Sequence, residues 1–300
     1  MPNALALRIT EPPKARLVTL IIRALTNSFG ANAPRLKLHK AQRRVTELNQ
    51  AAAELACEAA RQHFEDTGRK AVVAGSMGPT VELFKPIGTL THADTMAYFA
   101  EQANVLAEGG AEVIWIETTS SLEEVAAAVE ASRATGLTVC ATLTFDTARR
   151  SMVGVTPADY AQFAAEIGLD TAGSNCGVGA AEMMDSTQGL IAAGIEIPVV
   201  AKGICGIPQY VDGAIHLHGS PALMAKYVLF ARDTGATIIG GCCGITPEHI
   251  AAMIRALENT PSRTLDTEAM ITALGAAWTA LPTDGNNDGD GRRRSRRRRS

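Results

Sequence analysis

The sequence predicts an α/β protein built as a (β/α)8 barrel, the TIM-barrel architecture, with an atypical or incomplete first β/α unit. Short β-branched runs alternate with Ala-rich amphipathic stretches, and this alternation predicts a parallel sheet covered by helices. The predicted strands recur at roughly 25 to 45 residues, and a chain of 300 residues accommodates a barrel of about 250. An open doubly wound sheet is the rival, but neither GxGxxG nor GxxxxGK[ST] follows any predicted strand.

Seven segments have the composition of buried strands, and most of them end in Gly, Ser, Thr or Cys. They are residues 17–26, 71–75, 113–118, 137–145, 171–176, 197–202 and 236–243. The helices between them have clear start signals: Ser121 with Glu124 predicts a capping box, and three further starts place a cap residue before proline. These are Thr156-Pro157, Ser220-Pro221 and Thr246-Pro247. Glycines at 68, 109–110, 136, 168, 194 and 235 mark the predicted helix ends.

The two ends of the chain depart from the barrel pattern. Residues 1–25 form an atypical segment in which 4–9 is a candidate strand, but residues 10–16 are too few for a parallel crossover. The barrel is expected over residues 26–282, and residues 283–300 are expected to be a disordered, Arg-rich tail. Residues 284–300 carry a net charge of +4, which leaves −7 on the remainder of a chain whose total is −3. An acidic body of this kind predicts no specific nucleic-acid partner.

Composition also excludes two other classes of protein. Six irregularly spaced cysteines, two of them adjacent, do not form a secreted disulfide framework and favour metal or catalytic use in a reducing compartment. The longest N-terminal apolar run, residues 17–22, is too short to span a membrane and weak as a signal peptide. We therefore expect a cytoplasmic protein without a membrane partner.

Three cysteines stand at predicted strand ends, where a parallel barrel carries its chemistry. Cys176 lies in Gly-Ser-Asn-Cys-Gly, and Cys242 and Cys243 lie in Gly-Gly-Cys-Cys-Gly. Adjacent side chains point to opposite faces of a strand, so the pair reaches one ion only where the strand ends, as Gly244 indicates. Three thiolates suit Zn²⁺ and leave one tetrahedral position open. The remaining cysteines, at 57, 140 and 205, lie in apolar runs and are expected to be small buried side chains.

A thiolate-rich zinc with an open position favours thiol chemistry over hydrolysis. Such a metal holds a substrate thiol as thiolate near neutral pH, and the simplest reaction of a bound thiolate with carbon is methyl transfer. Metallohydrolases tend to use histidine and carboxylate ligands to activate water. The one close histidine pair, His216 and His218, lies in a polar stretch and is expected to be an exposed loop.

Five segments together resemble the homocysteine S-methyltransferase family, which includes betaine–homocysteine methyltransferases and the homocysteine domain of cobalamin-dependent methionine synthase. The similarity runs from about Thr26 to Leu257, and the Asn-Cys-Gly and Gly-Gly-Cys-Cys-Gly pair is its most specific part. The other matching segments are residues 26–32, 75–79 and 115–118. The resemblance implies a (β/α)8 barrel whose zinc ligands are the three strand-end cysteines.

The resemblance also implies a substrate site and a reaction. Glu117 matches the glutamate that binds the homocysteine amino group, Thr26 a threonine that contacts the amino acid, and Asn175 is expected to contact substrate as part of Asn-Cys-Gly. The implied partners are homocysteine and a small methyl donor, either a betaine-like or sulfonium compound or a methyl group carried by a separate corrinoid protein. The oligomeric state is left open.

The sequence departs from the family pattern at three places, and the first two of them motivate an alternative function. The family's first strand, with its Asp/Gly-rich loop, has no counterpart in residues 1–25. Ile204 replaces an asparagine of the seventh-strand motif, and Gly30 stands where betaine-specific members carry tyrosine. Trp115 and Phe29 are the candidate aromatic faces for a quaternary ammonium, although a core role is favoured for each. The alternative is a catalytically impaired, N-terminally truncated relative that binds zinc as a structural or interaction protein.

Overall fold

A curled sheet of seven parallel strands forms the centre of the molecule. The computed structural model describes residues 8–9, 22–146, 148–206, 209–211, 214–217 and 219–277. The parallel strands are β2 (Ile22–Leu25), β3 (Ala71–Met77), β4 (Val113–Thr119), β5 (Thr138–Leu143), β6 (Thr171–Cys176), β7 (Val199–Gly203) and β10 (Ile238–Gly241). Each pairs with its sequence neighbour among these seven, so all their carboxyl ends lie at one edge. The architecture is that of a (β/α)8 barrel, as predicted.

The first unit of the barrel is atypical. Strand β1 (Arg8–Ile9) pairs antiparallel with β10, through Arg8↔Ile239 and Ile9↔Ile238. It therefore stands beside the last barrel strand, but it runs against the direction of the other seven. Within the ranges that the structure describes, no ladder joins β1 to β2. The predicted strand 17–26 is described from residue 22 onward, and the predicted strand 4–9 at residues 8–9 only.

Helices follow the parallel strands and cover the outside of the sheet. They are α1 (Ala33–Lys37), α2 (Val45–Thr67), α3 (His92–Glu108), α4 (Leu122–Arg133), α5 (Pro157–Glu166), α6 (Ala180–Ala192), α7 (Pro221–Thr234), α8 (Pro247–Asn259) and α9 (Thr267–Leu274), with a 3-10 turn at Gln42–Arg44. A short antiparallel hairpin, β8 (Gln209–Val211) and β9 (Ala214–His216), lies between β7 and α7. No helix in the described part of the chain is both long and apolar enough to cross a bilayer.

The predicted helix starts are largely confirmed. Thr156, Ser220 and Thr246 are N-caps, each followed by proline in the first turn. Of the two hydrogen bonds in the capping box predicted for Ser121 and Glu124, one forms and the other does not. The Ser121 hydroxyl accepts from the Glu124 amide, but the Glu124 carboxylate accepts instead from the amide and hydroxyl of Thr80, at 2.7 Å each. Two donors from the loop after β3 satisfy this buried carboxylate better than one cap amide.

Apolar side chains fill both the space between sheet and helices and the inside of the sheet. Inside the sheet, Trp115 and Cys140 pack with aliphatic residues of β3, β4, β7 and β10. Trp115 is fully buried, as its expected core role requires. Cys140 and Cys205 are buried as predicted, whereas Cys57 is half-buried, with its sulfur facing the carbonyls of residues 109 and 110.

Candidate metal and substrate site

The structure brings the three predicted ligand cysteines together at the carboxyl edge of the sheet. Cys176 is the last residue of β6, and Cys242 and Cys243 follow β10 directly, with β7 between the two strands. All three Sγ atoms lie within 4.8 Å of one another, and those of Cys242 and Cys243 are 4.0 Å apart. Two segments separated by more than sixty residues of sequence thus form one cluster of sulfur atoms.

Irregular backbone at the two strand ends makes this convergence possible. Cys176 has a φ of +65°, in the left-handed region, which turns the chain sharply at the end of β6. Beyond β10 the backbone stays attached to the β7 end: the Cys242 amide donates to Gly203 O at 2.8 Å, and the Cys243 carbonyl accepts from the Cys205 amide at 3.1 Å. Gly244, with a φ of +76°, supplies the predicted departure from strand geometry.

The sulfur cluster fits a tetrahedral metal ion. Three thiolates at about 2.3 Å from Zn²⁺ lie about 3.8 Å apart in a regular tetrahedron, close to the 4.0 Å between Cys242 and Cys243. Hydrogen bonds from Cys176 and Cys243 lower the pKa of Cys242, and the positive charge of Lys202 acts in the same direction. The same interaction with Cys242 raises the pKa of Cys176.

Asn175 holds the edge of this cluster in place. Its Oδ1 accepts from the Thr118 amide at 2.9 Å and from the Thr142 hydroxyl at 2.7 Å. Its Nδ2 donates to the Thr118 hydroxyl at 2.7 Å and contacts the Cys242 sulfur at 3.8 Å. The side chain is fully buried, and all of these partners belong to the protein. Its described contacts therefore fix the ends of β4 and β5 against Cys242.

Glu117, the predicted ammonium ligand, stands near the end of β4 and is already paired. One carboxylate oxygen accepts from Lys202 Nζ at 2.7 Å, and the other accepts from the Ser76 hydroxyl at 2.6 Å. The pair is buried, with Glu117 7% and Lys202 1% exposed. Burial alone would lower the pKa of Lys202, but the negative charges of Glu117 and Cys242 raise it above its ordinary value. Lys202 therefore stays charged, and the pair is ionic.

Thr26 contacts Ser76, the residue that donates to Glu117. Its hydroxyl accepts from the Ser76 amide at 2.8 Å and shares a 2.6 Å hydrogen bond with the Ser28 hydroxyl. Ser28 in turn donates to the Ser76 carbonyl at 2.7 Å. Thr26 is 3% exposed, so its described contacts orient Ser76 and, through Ser76, the Glu117 carboxylate.

Sequence reasoning missed Ser76 and Lys202 as members of this site. Ser76 lies in the matching segment 75–79, and Lys202 is the last residue of the predicted strand 197–202. A lysine in an otherwise apolar strand was the available signal, because a buried ammonium needs a carboxylate partner. Ile204 is buried as well, so the residue that replaces asparagine contributes apolar surface to the end of β7.

The two aromatic rings considered for a quaternary ammonium both face a cation of the protein. Lys202 Nζ lies 5.1 Å from the centroid of the Trp115 ring, and the Arg35 guanidinium lies 4.9 Å from that of Phe29. The predicted loop pair of histidines falls at the edge of the described region. The loop prediction is wrong for His216, which ends strand β9 and pairs with Gln209, and His218 lies outside the described residues.

Comparisons with known proteins agree with the fold and with the motifs. A family model described as homocysteine S-methyltransferase matches residues 23–257. The methionine synthase of Mycobacterium tuberculosis is 30% identical over 266 residues, covering 86% of this chain and 22% of the synthase. The methionine synthase of Mycobacterium leprae is 27% identical over 268 residues, again covering 86% of this chain and 22% of the synthase. The chain thus spans about a fifth of the length of these relatives.

Solved structures show the same architecture. The metallated form of the homocysteine methyltransferase MmuM from Escherichia coli superimposes with a TM-score of 0.64 at 21% identity, covering 76% of this chain and 77% of that one. Its apo form gives a TM-score of 0.59 at 22% identity, covering 71% and 73%. Similarity at this level of identity supports the fold.

Proposed function

We propose that this chain, which belongs to the homocysteine S-methyltransferase family, transfers a methyl group from a small onium donor to the thiolate of homocysteine, giving methionine. The donor is a betaine-like compound or a sulfonium. The observation that carries the proposal is the meeting of the Cys176, Cys242 and Cys243 sulfurs at the carboxyl edge of the sheet. Three thiols with no histidine or carboxylate among them suit a metal that binds a substrate sulfur.

In this proposal the three cysteines hold Zn²⁺ and leave its fourth position for the substrate. An ion held by these residues would supply the positive charge that keeps a substrate thiol as thiolate near neutral pH, where a free thiol of pKa ~8.5 is mostly protonated. Asn175 supports the site from outside the ligand set through its contact with the Cys242 sulfur. The thiols must be reduced for this role, so we propose the cytoplasm as the compartment.

The amino group of homocysteine is recognised at Glu117. The ammonium joins Ser76 and Lys202 around the carboxylate, which has lone pairs enough for a third charge-assisted hydrogen bond. Thr26 contributes by holding Ser76 rather than by touching the amino acid. Anchoring the substrate at both its sulfur and its nitrogen fixes the direction in which the thiolate attacks.

Alignment supplies much of the rate in such a reaction. The thiolate displaces the methyl group in line, and positioning two reactants in this way is worth up to about 7–11 kcal/mol. A cationic onium donor leaves as a neutral molecule, so no general acid is required. A methyl group delivered by a separate corrinoid protein is the other donor compatible with a barrel that spans a fifth of a methionine synthase.

The experiment that tests the proposal measures bound metal first and methionine formation second. The purified protein is expected to hold one zinc per chain and to form methionine from homocysteine with at least one of betaine, S-methylmethionine and dimethylsulfoniopropionate. A protein that holds zinc but turns over none of these donors, and no methylated corrinoid protein, would contradict the proposal.

Replacement of one ligand tests the site itself. Cys242→Ser is expected to lose most of the bound zinc and methionine formation, because a serine hydroxyl is a poor zinc ligand. Cys57→Ser is the matched control, since Cys57 lies on α2 and faces the carbonyls of residues 109 and 110. Retention of both metal and activity by Cys242→Ser would show that the site is assigned to the wrong residues.

A further inference from the structure

The guanidinium of Arg35 lacks a carboxylate partner in the part of the chain that the structure describes. Arg35 lies on α1, which begins just after the loop that follows β2. It is half-buried, yet no carboxylate oxygen of the described residues lies within 4.0 Å of it. Burial raises the pKa of Glu124, the charge of Arg35 opposes that rise, and the Glu124 carboxylate is hydrogen-bonded to Thr80 rather than to Arg35. Arg35 therefore has hydrogen-bond donors available.

The surroundings of Arg35 are fixed by buried contacts. Asn32 caps α1 by accepting from the Arg35 amide at 3.1 Å, and its Nδ2 donates to the Gly78 carbonyl at 3.1 Å. The Phe29 ring lies so close to Gly78 that a Cβ at that glycine would clash with the ring. The Phe29 carbonyl also accepts from the Gly78 amide at 2.9 Å. Helix α1 and the ring are thus both attached to the segment after β3.

The Arg35 guanidinium lies over this ring and beside a glycine. Its central carbon is 4.9 Å from the Phe29 centroid, and its Nε is 3.4 Å from the position that a Cβ of Gly30 would take. A guanidinium presents its N–H donors in a planar fork that matches a carboxylate. The arrangement is preorganised for a planar anion.

The position is continuous with the amino-acid site. Ser28, next to Phe29, donates to the Ser76 carbonyl, and the Ser76 hydroxyl donates to Glu117. Helix α1, which carries Arg35, follows the carboxyl end of β2, at the edge of the sheet where β4 carries Glu117 near its end.

We propose that Arg35 binds the carboxylate of a small zwitterionic substrate, as a binding and specificity-determining residue of the methyl transfer proposed above, on which this inference rests. Homocysteine and the onium donor can both supply such a carboxylate. The Trp115 and Phe29 rings each face a cation of the protein already. A donor with a carboxylate gains a partner in Arg35, whereas a purely cationic onium meets its repulsion.

The test pairs each substrate with an analogue that lacks the carboxylate. Dimethylsulfoniopropionate is compared with trimethylsulfonium, betaine with tetramethylammonium, and homocysteine with 3-aminopropane-1-thiol. Binding to the zinc-loaded protein is measured by calorimetry, and turnover is measured where it occurs. Arg35→Met keeps an unbranched apolar stem over Phe29 and removes the donors, and Arg35→Lys keeps the charge without the fork. Lys37→Met, an exposed residue on the same helix, is the matched control.

Arg35→Met is expected to lower the affinity for the carboxylate-bearing compound of at least one pair by about tenfold or more. The affinity for the analogue without the carboxylate should stay the same or increase. Loss confined to the donor pairs assigns the site to the donor, and loss confined to the homocysteine pair assigns it to homocysteine. The affinity of Arg35→Lys for the same compound is expected to lie between those of the wild type and Arg35→Met.

Equal affinities of wild type and Arg35→Met for every carboxylate-bearing compound would overturn the inference, and so would equal losses for both members of each pair. Absence of turnover in the wild type would contradict the proposed function instead, and the calorimetric comparison would still decide the role of Arg35. If the wild-type protein binds none of these compounds, both proposals fail.

Discussion

At the scale of single residues, the buried pair of Lys202 and Glu117 combines a structural and a binding role. The two side chains come from β4 and β7 and meet inside the sheet at 2.7 Å, where both are largely buried. Removing one partner of a buried pair costs far more than the pair contributes, because the remaining charge is left unsolvated. Variants at these two positions therefore separate folding from binding.

Glu117→Gln is expected to lower the free energy of unfolding by about 3–5 kcal/mol and to raise the KM for homocysteine. Urea denaturation and steady-state kinetics measure the two effects. Glu123→Gln, an exposed neighbour of Glu124 on α4, is the control and is expected to change neither. The double variant Glu117→Gln/Lys202→Met should recover much of the stability but not the KM. A Glu117→Gln protein with wild-type KM would contradict the assigned role.

Asn175→Ala tests the support of the metal ligands. Loss of the contact with the Cys242 sulfur and of the hydrogen bonds to Thr118 and Thr142 is expected to weaken zinc affinity by about 10–100-fold. Competition with a chromogenic chelator measures this affinity. Asn259→Ala, on the exposed end of α8, is the control. Unchanged zinc affinity together with a raised KM for homocysteine would indicate instead that Asn175 contacts the substrate, as the sequence alone suggests.

At the scale of secondary-structure elements, helix α4 is attached to the loop after β3 by a buried carboxylate. Burial raises the pKa of Glu124, while hydrogen bonds from Thr80 and the charge of Arg35 oppose the shift. A carboxyl whose folded-state pKa is raised destabilises the protein where it is ionised. Its contribution to stability therefore falls as the pH rises from the ordinary pKa of a glutamate through the higher pKa of Glu124 in the folded protein.

Glu124→Gln is accordingly expected to gain stability relative to wild type as the pH is raised from 4 to 7. The amide oxygen can still accept from the Thr80 amide and hydroxyl. Differences in unfolding free energy between the two proteins, measured at several pH values, report this group alone. Glu123→Gln serves again as the exposed control, and a difference that is independent of pH would contradict the raised pKa.

Elements with local signals were predictable, and those that depend on distant partners were not. Ser/Thr caps before proline located α5, α7 and α8, because those bonds form within one turn. The Glu124 carboxylate instead accepts hydrogen bonds from Thr80, which lies 44 residues away in sequence. The cysteine cluster was predicted because its glycine-flanked motifs stand at strand ends. The Lys202–Glu117 pair was not, since it spans 85 residues and two strands that are not neighbours.

At the scale of the whole molecule, the fold and the metal site are supported by different contacts. The hydrophobic clusters contain side chains from the strands and helices, whereas the three ligand cysteines lie beyond or at the ends of β6 and β10. The barrel therefore has its own core and does not depend on an ion for its topology.

Removal of zinc with a chelator is expected to abolish methionine formation and leave the far-UV circular dichroism unchanged. The thermal midpoint should fall, because a ligand that binds only the folded state stabilises it by mass action. Readdition of zinc should restore activity, and readdition of Mg²⁺, which prefers oxygen ligands, is the control. Loss of the helical signal on chelation would contradict an independent core.

The tail is expected to be separate from the reaction. Deletion of residues 284–300 removes seven arginines and three aspartates and should leave kcat/KM for methyl transfer unchanged. Deletion of residues 266–300, which also removes α9 with its buried Met270, is the comparison and should destabilise the fold. A large loss of activity in the shorter deletion would assign the tail a role in catalysis.

X-ray absorption at the zinc edge tests the central claim, that Cys176, Cys242 and Cys243 share one ion with an open position for the substrate sulfur. The account predicts three sulfur atoms at about 2.3 Å and one lighter atom in the resting protein, and four sulfur atoms after homocysteine is added. Fewer than three sulfur ligands at rest, or a shell that homocysteine leaves unchanged, would contradict it.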